Sequence, residues 1–368
     1  MKKVRYAVVG LGHIAQVAIL PSFKNAQSNS ELVALVSGDT EKLDVLGEKY
    51  NIKHRYLYDD YEEMLSRGLV DAVYIATPNT LHQEFAELAA WYGVHVLTEK
   101  PMAVHERECM GMLRAARKNN IKLMVAYRLH FDGGNLEAVE IAKNKELGDL
   151  KIFNSTFSMQ VADRKNIRLR GDMGGGPLYD VGIYCINAAR YLFQDEPVEA
   201  FAMSDSDPYD ARFREVDEMM SVTLRFPNAR LATFTISFGA ARTSSYELIG
   251  TLGHLRLENA YEYAQDMTLT TVIDGESEIQ NFPKHDQFAP EIEYFSRCII
   301  DDVEPEPSAE EGLLDIKIIK AILESARSGR PVKLDYFKKM TRPSARQKIT
   351  KAPYPKPNTF HANSPSEE

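Results

Sequence analysis

Three short stretches hold residue types whose chemistry and spacing stand out. Val8-Val9-Gly10-Leu11-Gly12-His13-Ile14-Ala15 is a glycine turn directly after an apolar run. Glu99-Lys100-Pro101 ends a second apolar run with a lysine. Gly174-Gly175-Gly176-Pro177-Leu178-Tyr179-Asp180-Val181-Gly182-Ile183-Tyr184 sets an acid and a phenol one helical turn apart. A lysine, a carboxylate and a phenol can move protons or hold a reacting hydroxyl. A glycine turn that opens a helix lets backbone N–H groups approach a pyrophosphate. The combination points to a dinucleotide coenzyme working beside an acid–base group.

In the first stretch Gly10 allows the tight turn, and Gly12 leaves the pyrophosphate unobstructed. His13 and Ile14 complete the turn, and Ala15 lets the helix pack against the strand. An ordinary strand-to-helix turn is the plain alternative. The second apolar run ends Val36-Ser37-Gly38-Asp39-Thr40-Glu41-Lys42. An acid at this place would hold a ribose 2′-hydroxyl and reject a 2′-phosphate. Ser37, Gly38 and Lys42 suit a 2′-phosphate, so NADP is expected over NAD. If Asp39 rather than Ser37 faces the ribose, NAD is favoured. A helix cap over 37–40 is compatible with either. Thr77, Pro78, Asn79 and His82 follow the run 72–75 and are candidates for the ribose or nicotinamide side. Asn79 and His82 could equally be a helix cap or surface groups. Glu99 and Lys100 follow the run 95–97, and proline fixes their turn. Near a nicotinamide cation the lysine would lose basicity, which suits it to orient and acidify a hydroxyl. The plain alternative is a solvated surface lysine.

These residues need elements to place them. Strand-like runs at 4–9, 32–36, 72–75, 95–97 and 123–126 alternate with helical segments at 40–50, 81–92 and 105–119. That alternation predicts an α/β dinucleotide-binding domain with a parallel sheet over residues 1–127. After a helix at 135–145, strand-like runs recur at 150–159, 198–203, 219–226, 231–238, 245–249, 255–257 and 267–272 with no helix between most of them. They predict an α+β domain with a large, mostly antiparallel sheet over 128–337, closed by helices at 286–300 and 309–327. Within it, Gly176 and Pro177 mark a helix start. Asp180, Tyr184 and Asn187 would share one face, with Leu178, Val181, Cys185 and Ala188 on the packed side. A solvent-facing polar stripe is the plain alternative.

The chain has 368 residues, 44% hydrophobic and 26% charged, with a formal charge of −9. An acidic balance disfavours nucleic acid and anionic membranes as partners. Cys109, Cys185 and Cys298 form no metal-binding spacing, so no metal is expected. The apolar run after Met1-Lys2-Lys3 is too short for a signal segment, and no stretch is long enough to span a membrane. The expected location is cytoplasmic. Residues 338–368 turn basic and proline-rich and are expected to form an extended surface tail; an arm laid across a partner subunit is the alternative.

The three stretches, with Tyr127-Arg128-x-His130 and Arg327-x-Gly329-Arg330-Pro331-Val332, resemble the glucose–fructose oxidoreductase and inositol dehydrogenase-like family (Gfo/Idh/MocA) over about residues 4–332. The glucose–fructose and NADP-dependent xylose dehydrogenase branch is most similar. The resemblance implies a Rossmann domain followed by an open, mostly antiparallel sheet through which copies pair as homodimers or homotetramers. It implies that Tyr184 takes the proton from a sugar hydroxyl, at the anomeric carbon, while hydride moves to the nicotinamide. Lys100 would hydrogen-bond the reacting oxygen, Asp180 would orient the sugar or the lysine, and Arg128 and Arg168 would lie beside cofactor or substrate. Where the family usually ends its motif with histidine, this chain has Tyr184, as the sugar-oxidising branch does. Reduction of a keto-sugar or dicarbonyl, dihydrodiol oxidation, and a non-catalytic dinucleotide sensor are the competing readings.

Overall fold

A computed structural model of the chain describes residues 3–337, 341–362 and 364–366. Lys338, Asn363, Glu367 and Glu368 of the expected tail lie outside the described residues. The chain forms two units. Residues 1–128, 286–313 and 350–364 make the first, and 129–285, 314–349 and 365–368 the second. This departs from the three consecutive segments the sequence suggested. The chain returns twice to the first unit, over 286–313 and over 350–364.

The first unit is built on six parallel strands in the order β3-β2-β1-β4-β5-β6. They are β1 (Val4–Val9), β2 (Ser30–Ser37), β3 (His54–Leu57), β4 (Ala72–Ile75), β5 (His95–Thr98) and β6 (Leu123–Val125). β1, β4 and β6 are almost wholly buried, which is why they read as continuous apolar runs. β3 has no such run. Its His-Arg-Tyr-Leu lies half exposed at the sheet edge, so neither alternation nor hydrophobicity announces it. The helices Thr40–Lys49, His82–Trp91 and Glu106–Lys118 make the crossovers. Chain order reverses between β1 and β4, and ligands of such sheets bind outside the strand ends at that point.

Residues 350–362 of the tail lie along this unit as an extended, largely exposed segment. Tyr354 Oη donates to Ala18 O at 3.0 Å, Asn25 Nδ2 donates to Ala352 O at 2.9 Å, and Lys351 pairs with Glu293. Proline-rich, basic composition argues against a hydrophobic core, but these contacts are polar and need none.

The second unit holds a nine-stranded sheet in the order β14-β13-β12-β11-β7-β10-β9-β8-β15. The strands are β7 (Ile152–Ser158), β8 (Glu199–Asp205), β9 (Met219–Phe226), β10 (Arg230–Ser237), β11 (Thr243–Ile249), β12 (Gly253–Glu258), β13 (Met267–Ile273), β14 (Glu276–Phe282) and β15 (Val332–Lys333). Every pairing is antiparallel except β7 with β10. One face supplies the core, with Phe153, Leu224, Phe234, Tyr246 and Leu257 at 2% exposure or less. β14 was not expected, because Glu-Ser-Glu-Ile-Gln-Asn-Phe is an exposed edge held by its partner strand.

Against that core lies the helix Ile183–Phe193, every residue of which is buried except Tyr184. Arg190, with no exposure, donates from Nε to Glu196 at 2.6 Å and from Nη1 to Asp315 at 2.5 Å. Asn187 donates to Asp315 at 3.0 Å and accepts from His130 Nε2 at 2.7 Å. Asn187 is therefore turned inward, not onto the expected polar face. The expected packed side, Leu178, Val181, Cys185 and Ala188, is buried at 2% exposure or less. Removing the cation would leave the buried Asp315 without its ion-pair partner and Glu196 with Arg342 alone, so Arg190→Met should cost about 3–5 kcal/mol of unfolding free energy. A urea titration checks this, and an unchanged midpoint would show that the network contributes nothing.

Candidate active site

The strand ends of the first unit converge by backbone geometry. Gly10 N donates to Val36 O at 2.9 Å, Ala76 N to Val9 O at 2.7 Å, and Glu99 N to Ile75 O at 2.8 Å. Gly10 has φ +94°, and a Cβ there would stand 2.6 Å from Ala76 O. Only glycine lets the first turn pass so close to the end of β4. A Cβ on Gly12, by contrast, would meet nothing within 4 Å. Beside this open cradle, His13 and Ile14 are half-buried, and the chain enters a π-helical turn, Ala15–Ile19. Such turns often mark functional sites. Thr77 Oγ1 is inaccessible and has no hydrogen-bond partner. An orphaned hydroxyl and an open glycine cradle fit a dinucleotide whose phosphates and ribose supply the missing partners.

The end of β2 settles into a cap. Asp39 Oδ1 accepts from Lys42 N at 3.0 Å, and Ser37 Oγ accepts from Asp39 N at 3.2 Å. Gly38 packs under the Tyr58 ring, with a hypothetical Cβ 3.2 Å away. The cap hydrogen bond from Lys42 N holds the Asp39 carboxyl below its ordinary pKa. Lys42 is half-buried beside them.

After β4, Pro78 and Asn79 are half-buried and Asn79 opens a short 3-10 turn. His82 needs correction as a cofactor contact. It has no exposure, and its ring nitrogens lie 3.0 Å from Pro101 O and 3.1 Å from Thr77 O. Burial pushes its pKa down, and the carbonyls it faces oppose that shift. It fastens the turn after β4 to the turn after β5 and has no surface left for a ligand.

Lys100 is half-buried at the end of β5. Behind it stands a group that the sequence did not reveal. Tyr74 Oη lies 2.7 Å from Glu291 Oε1 and 3.0 Å from Glu99 Oε1, and Lys100 N donates to Glu99 Oε2 at 3.2 Å. One phenol proton cannot serve two carboxylates. Glu291 has no exposure, and its second oxygen has no partner. An ionised carboxylate would be very costly there. Burial first, then the charge of Glu99, lifts Glu291 well above the carboxylate range. Burial raises Glu99 as well, but the charge of Lys100 and the hydrogen bonds from Tyr74 and Lys100 N oppose it, so we read a chain from protonated Glu291 through Tyr74 to Glu99. Arg128 is 5% exposed, donates to Gln287 Oε1 and sits 5.7 Å over the Phe288 ring. Its charge acts on Glu99 and Glu291. Arg128 is thus buried beside the two carboxyls. Proximity of residue 291 to residue 74 leaves no local pattern in the sequence.

In the second unit the helix start is not regular α. Leu178–Gly182 is a π-helical turn that runs into Ile183–Phe193. From 177 to 193 only Asp180 and Tyr184 escape burial. Arg168 Nε donates to Asp180 Oδ2 at 2.6 Å. A Cβ on Gly175 would stand 2.6 Å from Arg168 O, so this glycine is what lets the Arg168 segment lie on the helix start. Tyr184 packs its ring near Phe157 and Tyr261, with centroids 5.7 Å and 5.8 Å away. Arg168, Asp180 and Tyr184 are thus gathered within this unit, and the Arg168–Asp180 pair was not foreseen.

The protonated state of Glu291 has a measurable consequence. As pH rises through the ordinary carboxyl range the unfolded chain loses this proton while the folded chain keeps it, so this group's contribution to stability falls towards neutral pH. Glu291→Gln lacks that loss. Its stability relative to wild type should rise by about 1 kcal/mol or more between pH 5 and pH 7, read from urea midpoints. An offset independent of pH would show Glu291 to be ionised.

Among the described residues no helix is long and apolar enough to cross a membrane. Residues 4–127 match the oxidoreductase family with an NAD-binding Rossmann fold, and 135–256 match the GFO/IDH/MocA C-terminal domain. The chain is 31% identical to D-xylose 1-dehydrogenase [NADP(+)] of Haloarcula marismortui, over 90% of this chain and 93% of that one. It is 30% identical to D-xylose 1-dehydrogenase (NADP(+)) 2 of Haloferax volcanii, over 90% and 99%. Among solved structures, aldose-aldose oxidoreductase from Caulobacter crescentus superposes with a TM-score of 0.86 at 36% identity, covering 90% of this chain and all of that one. With both halves matched and the strand ends arranged as described, this chain belongs to the GFO/IDH/MocA oxidoreductase family.

Proposed function

We propose that this chain is an NADP-dependent oxidoreductase that moves hydride between a sugar and the nicotinamide, oxidising an aldose at its anomeric carbon to a lactone. The observation that carries the reading is that Asp180 and Tyr184 are half-buried where every other residue from 177 to 193 is buried. Apolar burial would favour Leu or Phe at both places, so an acid and a phenol there call for a ligand. The names of the xylose dehydrogenases and of the aldose-aldose oxidoreductase support the substrate class.

The bound coenzyme supplies the hydride acceptor. The Gly10–Gly12 turn, with His13 and Ile14, holds its pyrophosphate, and Ser37, Gly38 and Lys42 hold the 2′-phosphate. Thr77, Pro78 and Asn79 border its ribose. Tyr184 takes the hydroxyl proton as hydride leaves, and Lys100 hydrogen-bonds the reacting oxygen. Arg168 pairs with Asp180 and holds it in place to accept hydrogen bonds from the sugar hydroxyls. Glu99, held by Tyr74, anchors the backbone N–H of Lys100. Tyr184→Phe should retain coenzyme affinity while kcat for an aldose falls on the order of 10²-fold to 10⁴-fold. Near-normal turnover would remove Tyr184 from the acid–base role.

The outer face of the large sheet completes the reading. Phe201, Thr223, Thr233 and Asn154 form one cross-strand row, and Met203, Ser221, Thr235 and Thr156 the next. Phe201 and Met203 are 38% and 69% exposed beside a shallow depression of about 530 Å³. Apolar side chains on an otherwise hydroxyl-lined face mark an interaction surface, and we assign it to pairing of two copies. Phe201→Glu with Met203→Glu should halve the mass seen by light scattering. A wild-type monomer would end this assignment.

A further inference from the structure

The C-terminal segment crosses the coenzyme half of the molecule at a telling place. Gln16, fully buried one turn beyond Gly12, makes three hydrogen bonds through its amide. Its Nε2 donates to Leu11 O at 2.9 Å and to Phe360 O at 2.8 Å, and its Oε1 accepts from Phe360 N at 2.8 Å. Phe360 is thereby fixed to the glycine turn itself. Lys49 Nζ adds a bond to Asn358 O at 3.0 Å. The next residue, His361, stacks on Phe360 with ring centroids 4.0 Å apart. It points Nδ1 at Asp39 Oδ2, 3.2 Å away, and its Nε2 lies 3.7 Å from Glu41 Oε2. Two residues thus join the pyrophosphate turn to the end of β2, the two loops that frame the ribose end of a dinucleotide site. The place above Gly12 stays open.

Asp39, at the helix cap directly after Gly38, carries a charge that argues against a 2′-phosphate. Its Oδ1 is occupied by the helix cap, and its Oδ2 faces His361. Glu41 adds a second negative charge and Lys42 a positive one. We propose that the C-terminal segment is a coenzyme strap and that His361 masks the Asp39 carboxylate, making the ribose end acceptable to NADP. His361 is a specificity-determining residue supplied by the tail, and Gln16 is the positioning residue that brings it there. The segment lies beyond both matched family regions, 4–127 and 135–256. The inference rests on the NADP reading above.

The test is fluorescence titration of the full-length protein with NADPH and NADH, which reads binding without turnover. His361→Ala should weaken NADPH on the order of threefold to fivefold and leave NADH within about twofold, the range of an exposed polar pair. Adding Asp39→Asn, which keeps an N-cap side chain but removes the charge, should restore NADPH affinity in that background. His361→Lys should keep the wild-type preference. Gln16→Leu should reproduce the His361→Ala shift, because it frees the strap. A wild-type protein that binds NADH more tightly would defeat the NADP reading itself. A wild type that prefers NADPH, with His361→Ala unchanged or Asp39→Asn giving no recovery, would overturn the strap alone. Tighter NADPH binding on losing His361 would also overturn it, showing the segment to be an obstruction.

Discussion

A guanidinium with no access to water has to find anions, and Arg190 finds two, Glu196 and Asp315. That requirement fixes the rotation of the helix Ile183–Phe193 about its own axis. Asn187 is pulled to the same inner side by Asp315 and His130. With the helix pinned and its apolar positions spent on the sheet, the remaining direction belongs to Tyr184 and, one turn earlier, to Asp180. Buried ion networks are weak sources of net stability but strong constraints on arrangement. Here the constraint is orientation, since any other rotation would strand a charge. The half-buried acid and phenol follow from it.

Much of this was legible in the sequence. The buried parallel strands announce themselves because both faces are covered, and β1 and β4 were read to the residue. Edge strands did not, since β3 and β14 take their conformation from a neighbour rather than from their own pattern. Glycine spacing located the coenzyme turn, because close approach leaves few other residue types possible. Polar residues were harder. Asn187 and His82 look like site residues by type, yet each is consumed by internal hydrogen bonds. A sequence records that a polar side chain is present at helical spacing. It does not record whether a partner waits inside.

The strand ends of the first unit also show charge and proton counts being set from outside the motif. Glu99 and Lys100 are adjacent, and their charges offset. Glu291 would upset that balance if ionised, and Tyr74 lies between the two carboxyls. Leaving the proton on Glu291 allows Tyr74 to donate towards Glu99, which in turn holds the backbone of Lys100. Arg128 offsets the carboxyl pair from a buried position. The lysine therefore rests on a hydrogen-bonded base whose protonation depends on residues remote in the chain.

Two such residues lie far along the sequence from what they touch, Glu291 by 217 positions from Tyr74 and His361 by 322 from Asp39. Both sit on segments that return to the first unit after the chain has built the second. Their roles differ in physical kind. Glu291 is buried, so changing it alters the proton inventory of the core and is penalised by stability. His361 is half exposed on a segment tied down by backbone bonds and one amide, so changing it alters what faces Asp39 with little structural cost. Gly10 cannot drift, because its neighbour's carbonyl forbids a side chain. A charge-reading residue carried on a surface segment can change while the turn it serves stays fixed, and coenzyme preference then becomes separable from coenzyme binding.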